Sequence, residues 1–205
     1  MNERTFTLPL QHEFARLSGD RNPMHLDPVA ARRLMFGNVV VHGVHVLLWA
    51  LDVLAAERPG GLRLKSLRAI FRAPILAGET ATCRFESSGG PELRGEVASG
   101  GRSRVSIKGE LDDPGAPAGG FAVPDVVPAA ERAVALDFPA AAAANGLVPL
   151  ELPRELARAI FPHLADGLPP EQLAVLLATT RVVGMKCPGE HSLYSELRLD
   201  FSAAG

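Results

Sequence analysis

Two residues able to move protons stand five positions apart in the stretch FARLSGDRNPMHLDP, Phe14 to Pro28: Asp20 and His25. An acid and an imidazole held side by side can take up and return protons during a reaction, help worth about 10² to 10⁴ in rate. Asn22-Pro23 between them suits a rigid loop rather than a reacting group. Proline limits the backbone, and an asparagine side chain bonds nearby main-chain groups. Ser18 and Gly19 are placed to form the turn that aims Asp20, and Asp27 before Pro28 has the form of a helix N-cap. Taken alone, the same residues are ordinary turn-and-cap chemistry. A second feature is the His42-Gly43 step at the head of an apolar run. It offers backbone N–H groups and the positive end of a helix, both suited to a developing negative charge.

Other elements must position these residues. Alternation predicts a short strand over 4–8, and helical spacing predicts a helix over 11–18 that Gly19 ends. Pro28 opens a further predicted helix that stops at Gly37. From Gly43 to Ala56 the chain reads as a helix too apolar to lie on a surface, interrupted by His45 and Asp52. After Pro59-Gly60-Gly61 the period changes to two. The runs LRLKSLRAIFRAPI, ETATCRFESS, ELRGEVAS and SRVSIKGEL are separated by Gly, Pro and Ser. One buried helix followed by four strands predicts an α+β fold, an antiparallel sheet wrapped around its central helix.

Residues 112–130 are rich in Pro and Gly and read as a linker; beyond them the sequence begins again. ERTFTL at Glu3 matches ERAVAL at Glu131, and VHVLLWALDVL from Val44 matches LAVLLATTRVV from Leu173. Pro59-Gly60 matches Pro188-Gly189, and LRAIF from Leu67 matches LRLDF from Leu197. Three segments result: a first unit over 1–111, the linker over 112–130, and a second copy over 131–205. That copy lacks most of its sheet, so the chain is expected to be a piece of a longer, multidomain polypeptide rather than one completed by another chain. Under these shifts Asp20 falls on Val148 or Pro149, His25 on Pro153 or Arg154, and Gly43 on Gln172. The chemistry-bearing residues belong to the first copy, and the second reads as non-catalytic.

Composition narrows the classes. The formal net charge is −2, from 21 basic and 23 acidic residues, which gives no footprint for nucleic acid or acidic membranes. Cys83 and Cys187 have no Cys or His at metal spacing and read as free thiols of a reducing compartment. No run is apolar enough for a signal peptide or a membrane span, so a cytoplasmic location is expected. His42 and His45 lie three apart, but no third ligand is near in sequence, and no metal is expected.

The pieces FARLSGDRNPMHLD, FGNVVVHG and FRAPILAGET, in that order, resemble the MaoC-like (R)-specific enoyl-CoA hydratases, also called hydratase 2. The resemblance covers the first copy. It implies the hotdog fold, here a tandem or double hotdog whose second copy is incomplete. It also implies a catalytic dyad of Asp20 and His25 that activates water. That water adds to C3 of a trans-2-enoyl thioester; the reverse reaction dehydrates an (R)-3-hydroxyacyl thioester. By resemblance the Gly43 N–H is the oxyanion donor, and Asn22 and Pro23 position the loop. No cofactor is implied, since coenzyme A or phosphopantetheine is part of the substrate. The partners are then acyl-CoA or an acyl-carrier protein; a homodimer is compatible with this reading and not required by it. Arg63, Lys65, Arg68 and Arg72 lie close together, either as a solvated strand face or as a landing patch for carrier phosphates. His42, Arg68 and Arg72 are therefore substrate-binding candidates. A hotdog thioesterase or a non-catalytic acyl-thioester-binding subunit is the alternative.

Overall fold

The computed structural model describes residues 2–58, 60–86, 90–113, 121–190 and 192–201. Pro59 and part of the linker, 114–120, fall outside them.

The apolar run forms α4 (Gly43–Ala56), and its residues are buried on almost every side. Four strands follow: β2 (Leu64–Phe71), β3 (Thr80–Phe85), β4 (Glu92–Ser99) and β5 (Arg102–Leu111). Each strand turns alternate residues inward, as period-2 patterning requires. Leu67, Ala69, Ala81, Cys83, Leu93, Val97, Val105 and Ile107 meet Leu47, Leu48, Leu51 and Leu54 of α4 in one core. All pairings are antiparallel. The expected α+β hotdog architecture is thus present, with the sheet closed around α4.

Two local boundaries differ from the sequence expectation. The first strand, β1 (Asn2–Thr5), ends early, because Thr7 caps α1 (Leu8–Ser18) by accepting from the Leu10 N–H at 3.5 Å. Pro9 then fits the first helical turn. After α2 (Pro23–Leu26), the helix expected to reach Gly37 is one turn only, α3 (Pro28–Ala31). Arg32, Arg33, Met35, Gly37 and Asn38 are exposed, so no buried stripe sustains a longer helix there.

The second segment supplies α5 (Phe138–Ala143), α6 (Arg154–Ile160), α7 (Pro162–Gly167) and α8 (Pro170–Arg181). A π-helical turn, Val182–Lys186, continues α8 before β6 (Glu196–Asp200). β6 joins the edge of the same sheet, whose order is β1-β3-β4-β5-β2-β6. The β2–β6 register pairs Leu67 with Leu199, Arg68 with Arg198 and Ala69 with Leu197. Arg68 therefore faces the residue that the internal repeat equates with it. Such self-pairing is the mark of a local twofold axis, here within one chain. Two like charges directly opposite would repel; Glu196 accepts from both guanidinium groups at 2.5 Å.

Buried polar contacts fasten the two segments. The acid in the apolar helix, Asp52, accepts from the His163 and Leu164 N–H groups at 2.9 and 2.8 Å, which holds the start of α7. Gln172 accepts from the Leu64 N–H at 2.9 Å and donates to the Leu64 carbonyl at 2.7 Å. Those two groups sit where the β2–β5 register slips, between Leu64 and Ser66. An unpaired buried backbone group costs about 1–3 kcal/mol. Gln172→Leu, which fills the space but bonds neither group, is therefore expected to lower unfolding free energy by at least about 2 kcal/mol, read from chemical denaturation.

Candidate active site

Helix α1 ends at Gly19, whose φ of 76° places it in the left-handed region that glycine adopts without strain. The Ser18 hydroxyl then donates to the Phe14 carbonyl at 2.9 Å and accepts from the Asp20 N–H at 3.1 Å. Asp20 Oδ1 accepts from the Asn22 N–H at 3.1 Å, and Asn22 Oδ1 accepts from the Met24 N–H at 3.1 Å, which caps α2. Pro23 is the first residue of that turn, and Asp27 closes the run by capping α3. Each short polar side chain between Ser18 and Asp27 thus fixes the backbone that carries the next one. The outcome is that Asp20 and His25 face one another, both almost wholly buried.

The hydrogen bonds assign roles to the atoms. His25 Nδ1 lies 2.7 Å from the Val40 carbonyl, an acceptor, so Nδ1 carries the proton and Nε2 keeps its lone pair. Burial holds the His25 pKa below its ordinary 6.5, against the opposing pull of Asp20 and the Val40 carbonyl. Burial raises the Asp20 pKa above 3.8, against His25, the Thr180 hydroxyl and the Asn22 N–H. Burial penalises whichever form is charged. The imidazole is thereby kept neutral near pH 7 and able to accept a proton.

His42 is wholly buried. Its Nδ1 lies 3.0 Å from Gln11 Oε1 and its Nε2 lies 3.1 Å from the Asp20 carbonyl. Its ring packs on His25 with centroids 3.9 Å apart. His42 therefore braces the Asp20 loop from behind. It is also the N-cap residue of α4, where its side chain makes no capping bond. The first turn of α4, beginning at Gly43, consequently presents its N–H groups without a side-chain cap. A Cβ on Gly43 would stand 3.0 Å from the Phe71 ring, so only glycine fits beneath that ring without a shift. His45 belongs to the core, stacked on Phe14 with centroids 4.6 Å apart.

Asp20, His25 and His42 each offer one metal-capable atom, all within 4.8 Å of one another. Asp20 Oδ2 is engaged by Thr180, His25 Nδ1 by Val40 and His42 Nε2 by the Asp20 carbonyl. What remains, His25 Nε2 and a carboxylate edge, is a pair of acceptors for the two hydrogens of a water molecule.

The second segment takes part directly. The Thr180 hydroxyl donates to Asp20 Oδ2 at 2.6 Å. Gly184, in the π-helical turn, packs so tightly on Asp20 that a Cβ there would stand 2.5 Å from the carboxylate oxygens. Asn22 Nδ2 donates to the Gly184 and Glu190 carbonyls, both at 3.1 Å. None of these contacts was expected from the sequence. The one signal for them lies in the repeat: at the shift that aligns Val44 with Leu173, Thr180 stands opposite Leu51, a hydroxyl where the first copy has a hydrocarbon.

A cavity of about 210 Å³ opens beside this cluster, lined by Val40, Val41, Gly43, Phe71, Arg72 and Tyr194 among others. Val40 links the two: the residue lines the cavity while its carbonyl holds His25. Asp20 and His25 lie behind the lining rather than in it. Of the two arginine candidates, Arg72 lines the cavity, with Nε donating to Ser106 Oγ at 3.1 Å. Arg68 lies on the outer face of the sheet beside Glu196.

Residues 2–107 match the family model described as MaoC like domain. The chain is 36% identical over 74 residues to the 3-hydroxybutyryl-CoA dehydratase of Methylorubrum extorquens, covering 36% of this chain and 47% of that protein. It is 34% identical over 74 residues to the (R)-specific enoyl-CoA hydratase of Aeromonas caviae, covering 36% and 55%. Identity is 39% over 99 residues to the 3-hydroxyacyl-thioester dehydratase Y of Mycobacterium tuberculosis, covering 45% and 34%. The chain thus spans about half the length, or less, of these relatives.

A hydrogen bond to the charged form lowers a carboxyl pKa, so removing it raises that pKa. Thr180→Val, nearly isosteric, is expected to move the Asp20 pKa further up, and Thr180→Ser to restore it. Titration of the Asp20 side-chain carboxyl by ¹³C NMR measures both.

Proposed function

The chain belongs to the MaoC-like domain family, and from that premise we propose that it hydrates trans-2-enoyl thioesters and dehydrates (R)-3-hydroxyacyl thioesters in reverse. Relatives named hydratase and dehydratase support the reaction class. One observation carries the reading to atoms. A His25 nitrogen and an Asp20 oxygen lie within 4.8 Å, a gap one bridging water spans, beside the α4 N-terminus that begins at Gly43.

In this mechanism the dyad holds the water and polarises it toward C3 of the enoyl chain. As the C–O bond forms, electron density moves through C2 to the thioester oxygen. The Gly43 N–H and the positive end of α4 meet that charge; a preorganised donor of this kind contributes on the order of 3 kcal/mol. The proton lost by water and the proton gained at C2 pass through the same Asp20–His25 pair, so one molecule of water is added in full. Dehydration retraces these steps. The reaction draws on no metal or redox cofactor.

Arg72, at the cavity, is the group in place to meet a phosphate of coenzyme A or of a phosphopantetheine arm. Among the described residues no helix is long and apolar enough to cross a membrane, and a cytoplasmic site of action belongs to the same proposal. So does the expectation that the chain works within a longer polypeptide, with the second segment a non-catalytic copy that completes the site.

Loss of the conjugated enoyl absorbance of trans-2-butenoyl-CoA tests the reading. Asp20→Asn and His25→Ala are each expected to lower the rate by about 10² or more; wild-type rates in either variant refute the dyad. Release of free thiol in place of hydration would identify a thioesterase instead. If CoA esters are inert, acyl-carrier-protein esters are the second substrate to try.

The shifted pKa values give a further expectation. His25 must be neutral to accept a proton, and burial holds its pKa below 6.5. Activity is therefore expected to persist as pH falls through 6.5, with the acid limb of the kcat/KM profile lying below that value. A limb above it contradicts a buried neutral imidazole.

A further inference from the structure

Tyr194 stands two residues before β6, in the second segment, and lines the cavity beside Gly43. Its ring packs on Phe71 with centroids 5.4 Å apart, and Phe71 is the same ring that covers Gly43. The phenol oxygen is buried and makes no hydrogen bond. Thr179 is its hydroxyl neighbour, with its own proton donated to the Leu176 carbonyl at 2.7 Å, and the two hydroxyls do not meet in hydrogen-bond geometry. A buried hydroxyl without a partner is uncommon and calls for an explanation, such as a ligand atom that completes it.

We propose that the Tyr194 hydroxyl donates a hydrogen bond to an oxygen of the bound acyl thioester, making the second segment a direct contributor to substrate binding. The proposal rests on the acyl-thioester reading given above. Three features support it. The ring lies in the wall of the cavity that Gly43 also lines. Burial, with the nearby Asp20 charge adding to it, pushes the phenol pKa well up, so the group stays protonated and acts as a donor, never as a base. A substrate thioester or 3-hydroxyl oxygen is an acceptor, which is the complement this orphan donor lacks.

Tyr194→Phe tests this, because it keeps the ring against Phe71 and removes one oxygen. Two readouts apply: the Kd of saturated butyryl-CoA, which offers the thioester oxygen alone, and kcat/KM for trans-2-butenoyl-CoA. A loss of about tenfold in both, at unchanged melting temperature, supports a contact to the thioester oxygen. A similar loss in kcat/KM alone supports a contact to the oxygen added at C3. Unchanged values in both overturn the proposal, and so does a loss matched by a fall in melting temperature, which marks packing. If the wild type binds butyryl-CoA but hydrates nothing, the hydratase reading fails while the Kd comparison still decides Tyr194. If the wild type does not bind butyryl-CoA, the proposal falls with it.

Discussion

A carboxylate taken out of water must be matched by donors, and the Asp20 carboxylate sets that demand at the centre of this molecule. Its two oxygens are answered from opposite ends of the sequence, by the Asn22 N–H and by the Thr180 hydroxyl. Meeting it fixes the Ser18 to Asp27 loop, draws the end of α8 against α1, and leaves room for nothing larger than glycine at position 184. The Asp20 carbonyl is engaged as well, by His42, the residue next to Gly43. One buried acid thereby ties together the loop that bears His25, the start of α4, and the segment that closes over both.

The twofold relation between α4–β2 and α8–β6 explains why the second segment can answer that demand. Arg68 pairs with Arg198, its counterpart in the internal sequence match, so the two segments meet as the subunits of a symmetric dimer do. In a true dimer both sites are alike. Within one chain each copy is free to diverge. At the shift of the internal match Gln172 stands opposite Gly43, and its side chain closes the β2 bulge. Opposite Leu51, at the same shift, stands Thr180, whose hydroxyl reaches across to Asp20.

Much of this was legible in the residues. Helix α4 is apolar over its whole length, and the strands alternate with period two, so local patterning alone places them. Asp20, His25 and Gly43 stand in contiguous motifs whose turn chemistry is written in neighbouring residues. Thr180, Gly184 and Tyr194 were not legible, because their significance arises only when residues about 160 positions apart are brought together. A threonine in a helix or a tyrosine before a strand has many ordinary uses. His42 shows the converse. Its place beside Gly43 makes it a candidate for substrate contact, and its partner Gln11, on a helix thirty residues earlier, is not written in its neighbours.

The pairing of β2 with β6 has a consequence for how the site responds to dilution. Where two identical subunits share a site, lowering their concentration separates them and the site is lost. Here the halves are tethered, and the local concentration of one around the other is set by chain connectivity rather than by the number of molecules in solution. The contact from Thr180 to Asp20 is accordingly as complete in a dilute sample as in a crowded one.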